Sequence, residues 1–199
     1  MEEREESIKI KGKICLLGDC SVGKTSLIRR FVFDSFEEKY LPTFGTNITK
    51  KSFTIPYPEY ERKVELTLLI WDIMGNPGNK FESYIDQYQH FVPHNRYFLN
   101  AKGAIIVCDI TRKNTFQNLQ NWVKYLFGFC GEVPIIVVGN KIDMFSDKEV
   151  EVADLVKFAK DNNGESTLTS AKTGDNVEKM FYTIGDMIVG NVINWAEEI

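Results

Sequence analysis

Four runs along the chain are almost unbroken in aliphatic residues: Lys13–Gly18 (KICLLG), Leu66–Asp72 (LTLLIWD), Ala104–Asp109 (AIIVCD) and Ile135–Gly139 (IIVVG). A strand covered on both faces reads this way, because neither face meets water. A fifth strand is assigned to Ser166–Ser170, weak in itself and placed by its position in the pattern. Between the runs, apolar residues recur at the helical period. Lys24–Phe33 opens after a glycine turn, and Thr115–Phe127 carries Phe116, Leu119, Trp122, Val123 and Leu126 on one stripe. Val150–Asp161 follows, then Val177–Trp195, with Val177, Phe181, Ile184, Ile188, Val192 and Trp195 on one face. Such stripes are read as core packing rather than as a cofactor box. Thr46–Ile55 is polar at alternate positions and stops before the proline-punctuated PYPEY, so it is expected to pair antiparallel with Leu66–Asp72 at the sheet edge.

Alternation of strand and helix predicts an α/β fold: three layers, a mostly parallel sheet with one antiparallel edge strand, and helices on both faces. The 199 residues suit one domain, with no repeat or composition break to divide residues 1–199. Residues 1–10 are expected to form a flexible N-terminal extension. Apolar residues make up 43% and charged residues 26%, which excludes disorder as the main state. The net charge of −4 argues against a nucleic-acid partner, though not against a phosphate ligand in a local pocket. No apolar run approaches the roughly 20 residues that cross a bilayer. The N-terminal MEEREESIKIKGK lacks a signal-peptide core, Glu2 stands where myristoylation needs glycine, and the terminal NWAEEI offers no prenylatable cysteine. The expectation is cytoplasmic action with no direct lipid anchor, and membrane recruitment only through partners. Cys15 and Cys108 fall inside strand runs and are read as small buried hydrophobes.

The strongest chemical signal is GDCSVGKT, Gly18–Thr25, which matches G-x-x-x-x-G-K-[ST] between a predicted strand and a predicted helix. Its glycines let backbone N–H groups turn inward onto an oxyanion, and the helix N-terminus aims its positive end at the same point. Lys24 adds a point charge for the β- and γ-phosphates, and the Thr25 hydroxyl suits Mg²⁺, a hard cation. The candidate phosphate cradle is Gly18, Cys20, Ser21, Val22, Gly23, Lys24, Thr25 and Ser26. By itself the loop specifies a nucleoside triphosphate and leaves the base open.

Asn140, Lys141, Ile142 and Asp143 (NKID) follow the strand IIVVG. The Asp143 carboxylate can accept from both N1–H and the exocyclic amine of guanine. Adenine has no such donor pair, and a site of this design rejects the wrong partner by roughly 10⁴-fold or more. Lys141 has an apolar stem that can lie along the ring. Ser170, Ala171 and Lys172 follow the last strand, where a backbone N–H can meet guanine O6. Both motifs come at strand C-termini, where open α/β sheets bind ligands.

With these motifs in chain order, residues from about Lys11 to Trp195 resemble the Ras superfamily of small GTPases, and IWD, GNKID and SAKTGDNV look most like the Rab branch. The resemblance implies a P-loop GTPase (G) domain acting as a GTP/GDP switch with Mg²⁺ as cofactor. It further implies an exchange factor, an activating protein and effectors as partners. Carried over residue by residue, Phe36 would stack edge-on against guanine and Tyr40 would close over the phosphates. Thr43 would be a second Mg²⁺ ligand beside Thr25, and Asp72 would hold a Mg²⁺-bound water. Gly75 would donate its N–H to the γ-phosphate, and the two switch loops would be ordered by triphosphate and released on hydrolysis.

Three departures from the family pattern qualify this. Asn76 stands where the family usually has Gln to orient the attacking water, and Pro77 restricts its backbone. With Lys24, Asn76 and Gly75 as the candidate catalytic set, slow intrinsic hydrolysis is expected, since a misplacement near 1 Å costs on the order of 10²-fold. Cys20 occupies a loop position where an activator's arginine passes. Its bulk could crowd that approach, and the helix N-terminus could lower its thiol pKa, but ordinary variation is the preferred reading. Residues 77–100 form a longer second-switch region, with Phe81, Tyr84, Tyr88 and Phe91 at helical spacing, then Tyr97 and Phe98. Packing onto the protein's own sheet is preferred there over a partner surface. His90 and His94 are set aside as a metal pair because Pro93 lies between them. The stretch IPYPEYERK is read as a solvated hairpin tip. Two competing functions stand beside the switch: a GTP-binding scaffold that does not cycle, and a P-loop kinase, which the guanine motif disfavours.

Overall fold

The computed structural model describes residues 8–37, 43, 45–57, 62–75 and 95–197. In chain order the elements are β1 (Ile8–Leu17), α1 (Lys24–Phe33), β2 (Thr46–Tyr57), β3 (Arg62–Ile73), α2 (Asn95–Phe98), β4 (Gly103–Asp109), α3 (Lys113–Gln117), α4 (Leu119–Cys130), β5 (Ile135–Asn140), α5 (Val152–Asp161), β6 (Glu165–Thr169) and α6 (Val177–Glu197), with a 3₁₀ stretch at Ile142–Asp147. The strands form one sheet in the order β2-β3-β1-β4-β5-β6. β2 pairs antiparallel with β3, as the polar alternation predicts, and the other pairings are parallel.

All seven residues of β4 and all six of β5 are buried, which is why those runs carry no polar alternation. Successive side chains leave opposite faces and feed two cores. On one side Ile14, Leu16, Leu68, Ile105 and Val107 meet α1 and α6, where Phe31 stacks on Phe181 with ring centres 4.1 Å apart. On the other side Cys15, Leu17, Ile106 and Cys108 meet Trp122 and Leu126 of α4 and Leu155 of α5. Burial pushes both strand thiols, Cys15 and Cys108, up to about 12, so they behave as hydrophobes.

Two expectations change. β1 begins at Ile8, so residues 8–10 are strand rather than flexible extension; they pair with Val64, Glu65 and Leu66 because β3 itself runs far enough to receive them. The helix expected across Thr115–Phe127 is divided at Asn118, whose backbone stays helical while its side chain donates to Asp19. In the 77–100 segment, Phe98 is buried against Tyr125 and Phe129, and Tyr97 meets Trp71, which is self-packing at that end. Phe81, Tyr84, Tyr88, His90, Phe91 and His94 lie outside the described residues. No helix among the described residues is long and apolar enough to cross a membrane.

Candidate functional site

The loop between β1 and α1 turns through positive φ at Gly18 (136°), Ser21 (62°) and Gly23 (102°). The glycines are also required by space, since a Cβ at Gly18 would run into the Val107 carbonyl, and one at Gly23 into Asn140 Nδ2. Lys24 is 7% exposed, and its ammonium donates to the carbonyls of Gly18 (2.7 Å) and Asp19 (2.9 Å). Burial lowers its pKa to about 8, with the Asp72 carboxylate opposing. A cation held away from water beside a glycine-rich loop favours an anion next to it.

Next to the lysine, oxygen atoms from α1, from β3 and from Thr43 converge. Thr25 Oγ1 donates to Asp72 Oδ2 at 2.6 Å and lies 2.9 Å from Thr43 Oγ1. Asp72 Oδ1 is buried with no hydrogen-bond partner among the described residues. Burial raises the Asp72 pKa, against the opposing Thr25 hydrogen bond and Lys24 charge. Hard oxygen donors with one carboxylate oxygen unsatisfied suit Mg²⁺. Gly75 packs on the phosphate loop so closely that a Cβ would fall 2.6 Å from the backbone of Asp19 and Cys20. Cys20 Sγ donates to the Gly75 carbonyl at 2.9 Å. Partial burial raises the Cys20 thiol rather than lowering it, which corrects the expectation drawn from the helix N-terminus.

The base-side loops interlock with this cradle. Asn140 Nδ2 donates to the Val22 carbonyl at 2.8 Å, while Oδ1 accepts from Thr169 Oγ1 (3.1 Å) and the Ala171 N–H (3.2 Å). Asp143 is exposed, and the Ser170 hydroxyl donates to its Oδ1 at 2.6 Å. Lys141 has φ +73° and its ammonium lies 2.6 Å from Asp109 Oδ2. Phe36 is half-buried and packs against the core cluster that holds Phe31. Tyr40 and Asn76 lie outside the described residues.

Several supports escaped the motif reading. Arg30 of α1 donates from Nε to the Ala171 carbonyl (3.1 Å) and from Nη2 to that of Lys172 (2.7 Å), bracing the loop after β6. Asp19 is buried under Asn118 Nδ2 (2.7 Å) and Trp122 Nε1 (3.2 Å), which ties the phosphate loop to α4. Asp109 ends an apolar strand as its one charge, and that charge was the legible signal for it. Nothing in the sequence marks Arg30, because its partners lie 141 and 142 residues away.

The Ras family model matches residues 13–190. The chain is 34% identical to human Ras-related protein Rab-22A over 177 residues, 88% of this chain and 82% of that one. It is 33% identical to Ras-related protein Rab-31 of rat over the same coverage.

Proposed function

Because the chain belongs to the Ras family of small GTP-binding switch proteins, on its Rab branch, we propose a specific chemistry for it: Mg²⁺-dependent exchange between GTP and GDP states with slow intrinsic hydrolysis. Family members generally bind GTP or GDP with Mg²⁺, and they engage regulators and effectors. The observation that carries the reading for this chain is the interlock at Asn140. It joins the phosphate loop, through Val22, to the base loop, through Ala171, in one hydrogen-bonded unit. A ligand with a purine at one end and phosphates at the other matches such a unit.

In this reading Gly18 to Ser26 hold the phosphates, with Lys24 countering their charge. Asp143 accepts from the guanine edge, Lys141 lies along the ring, and the Ser170–Lys172 turn faces O6. Phe36 and Tyr40 cover base and phosphates. Thr25 and Thr43 would ligate Mg²⁺ and Asp72 would hold it through a water; the ion would neutralise phosphate charge. Gly75 senses the γ-phosphate from its seat on Asp19 and Cys20. Asn76, shorter than Gln and followed by Pro77, orients water poorly, so chemistry is slow and the triphosphate state is long-lived. The protein acts in the cytoplasm, with exchange factor, activating protein and effectors as its partners. The same Asn76 favours one second reading, a scaffold whose nucleotide is structural and does not turn over.

Calorimetry on the emptied protein with magnesium tests the nucleotide reading: GTP binds tightly and ATP far more weakly. Equal uptake of ATP, or no uptake of either, overturns it. Single-turnover hydrolysis then separates the two readings, since the scaffold shows no conversion and the switch a slow one.

A further inference from the structure

Strand β4 lies between β1, which ends at the phosphate loop, and β5, which ends at the base motif. Its last residue, Asp109, sits in register opposite Asn140. The Asp109 side chain is 1% exposed. Oδ2 meets Lys141 Nζ at 2.6 Å and accepts from Arg112 Nε at 2.9 Å. Oδ1 accepts from the Thr111 N–H (3.0 Å) and hydroxyl (2.7 Å). Arg112 continues the path, since its Nη2 donates to the Cys20 carbonyl at 3.0 Å. Burial works against the charged carboxylate, but the hydrogen bonds from Lys141 and Thr111 outweigh it and hold the Asp109 pKa below its ordinary value.

A buried carboxylate is retained in a core only when donors surround it. Here two of the donors are cations, and each belongs to a different side of the site. We propose that Asp109 is a positioning residue for nucleotide retention, anchoring Lys141 at its ammonium end and, through Arg112, the phosphate loop at Cys20. The inference rests on the guanine-nucleotide reading and assigns it a residue that neither motif contains. A lysine stem has four rotatable bonds, and fixing both its ends before the base arrives removes ordering cost from the binding step. The left-handed backbone of Lys141 fixes the near end, and Asp109 fixes the far end.

Release of fluorescent GDP, measured by displacement with excess GTP, tests this. Asp109→Asn keeps the shape and removes the charge, and it speeds release roughly tenfold, as loss of a charge-assisted hydrogen bond implies. In a background of Lys141→Ala with Arg112→Gln the same substitution changes release less than about twofold, because residues acting through one another are not additive. A residue that merely supported the fold would add its full effect in both backgrounds, and that result overturns the proposal, as does wild-type release in Asp109→Asn. Should Asp109→Asn not fold, Arg112→Gln alone decides: release faster by several-fold with an unchanged melting midpoint of the nucleotide-free protein supports the path, and unchanged release overturns it. A wild-type protein that fails to retain GDP removes the underlying reading as well, whereas retention with unaltered variants removes this inference only.

Discussion

Asn140 reaches Val22 across 118 residues of chain, its Nδ2 donating to the loop carbonyl at 2.8 Å. The other end of the same amide receives the Thr169 hydroxyl and the Ala171 N–H, so one buried side chain satisfies groups on the phosphate loop, on the end of β6 and on the loop after it. Asn140→Ala leaves those groups unpaired in the interior, each at about 1–3 kcal/mol. The expected outcome is a loss of about 3 kcal/mol or more in urea unfolding, with GDP affinity reduced beyond what the stability loss alone produces. A variant that binds GDP like the wild type shows that the interlock is structural and not part of the site.

The oxygens of Thr25, Thr43 and Asp72, with Asp72 Oδ1 left without a partner, make magnesium removal informative. Chelation with EDTA speeds GDP release in the wild type by on the order of tenfold or more, and Asp72→Ala removes most of that response. Release that ignores EDTA in the wild type counts against a cation at this place.

Asn76 gives the catalytic prediction, from the sequence alone. Asn76→Gln restores the longer amide and accelerates single-turnover hydrolysis by roughly ten- to a hundredfold, with GDP and GTP affinities unchanged. An unaltered rate assigns the slowness to Pro77 or to another group.

Asp109 gives a pH prediction with a definite sign. Its folded pKa lies below the unfolded one, so it contributes stability above the ordinary carboxylate range and loses that contribution as pH falls through the folded value. The gap in urea midpoint between wild type and Asp109→Asn is therefore full at about pH 7 and narrows below about pH 4. A gap that stays constant down to about pH 3 shows that the charge of Asp109 does not stabilise the fold.

Much of the fold was readable because burial leaves a signature in composition. β4 and β5 are covered on both faces and their sequences are apolar up to the closing Asp109 and Asn140, whereas β2 is an edge strand and alternates. Ile8–Ile10 do not read as strand in the sequence, because a three-residue alternation in a charged context does not announce a strand until Val64–Leu66 supply its partner. The split at Asn118 was equally hidden, since the apolar stripe runs past it and only the bond to Asp19 sets it apart. In the site, phosphate and base motifs were legible because each is a short contiguous segment whose backbone geometry dictates its residue types.

The sequence by itself determined the α/β class, the antiparallel edge, the glycine-rich loop before α1 and the positions of NKID and SAK at strand ends. These follow from local rules: which side chains tolerate a buried pleat, and which residues a tight anion-facing turn admits. Only the tertiary structure decided how the pieces lock together. Arg30 under Ala171 and Lys172, Asp19 under Trp122, and the carboxylate of Asp109 against Lys141 join residues from separate parts of the chain. Pairings of that kind depend on which strands become neighbours in the sheet, and no local pattern along the chain records that choice.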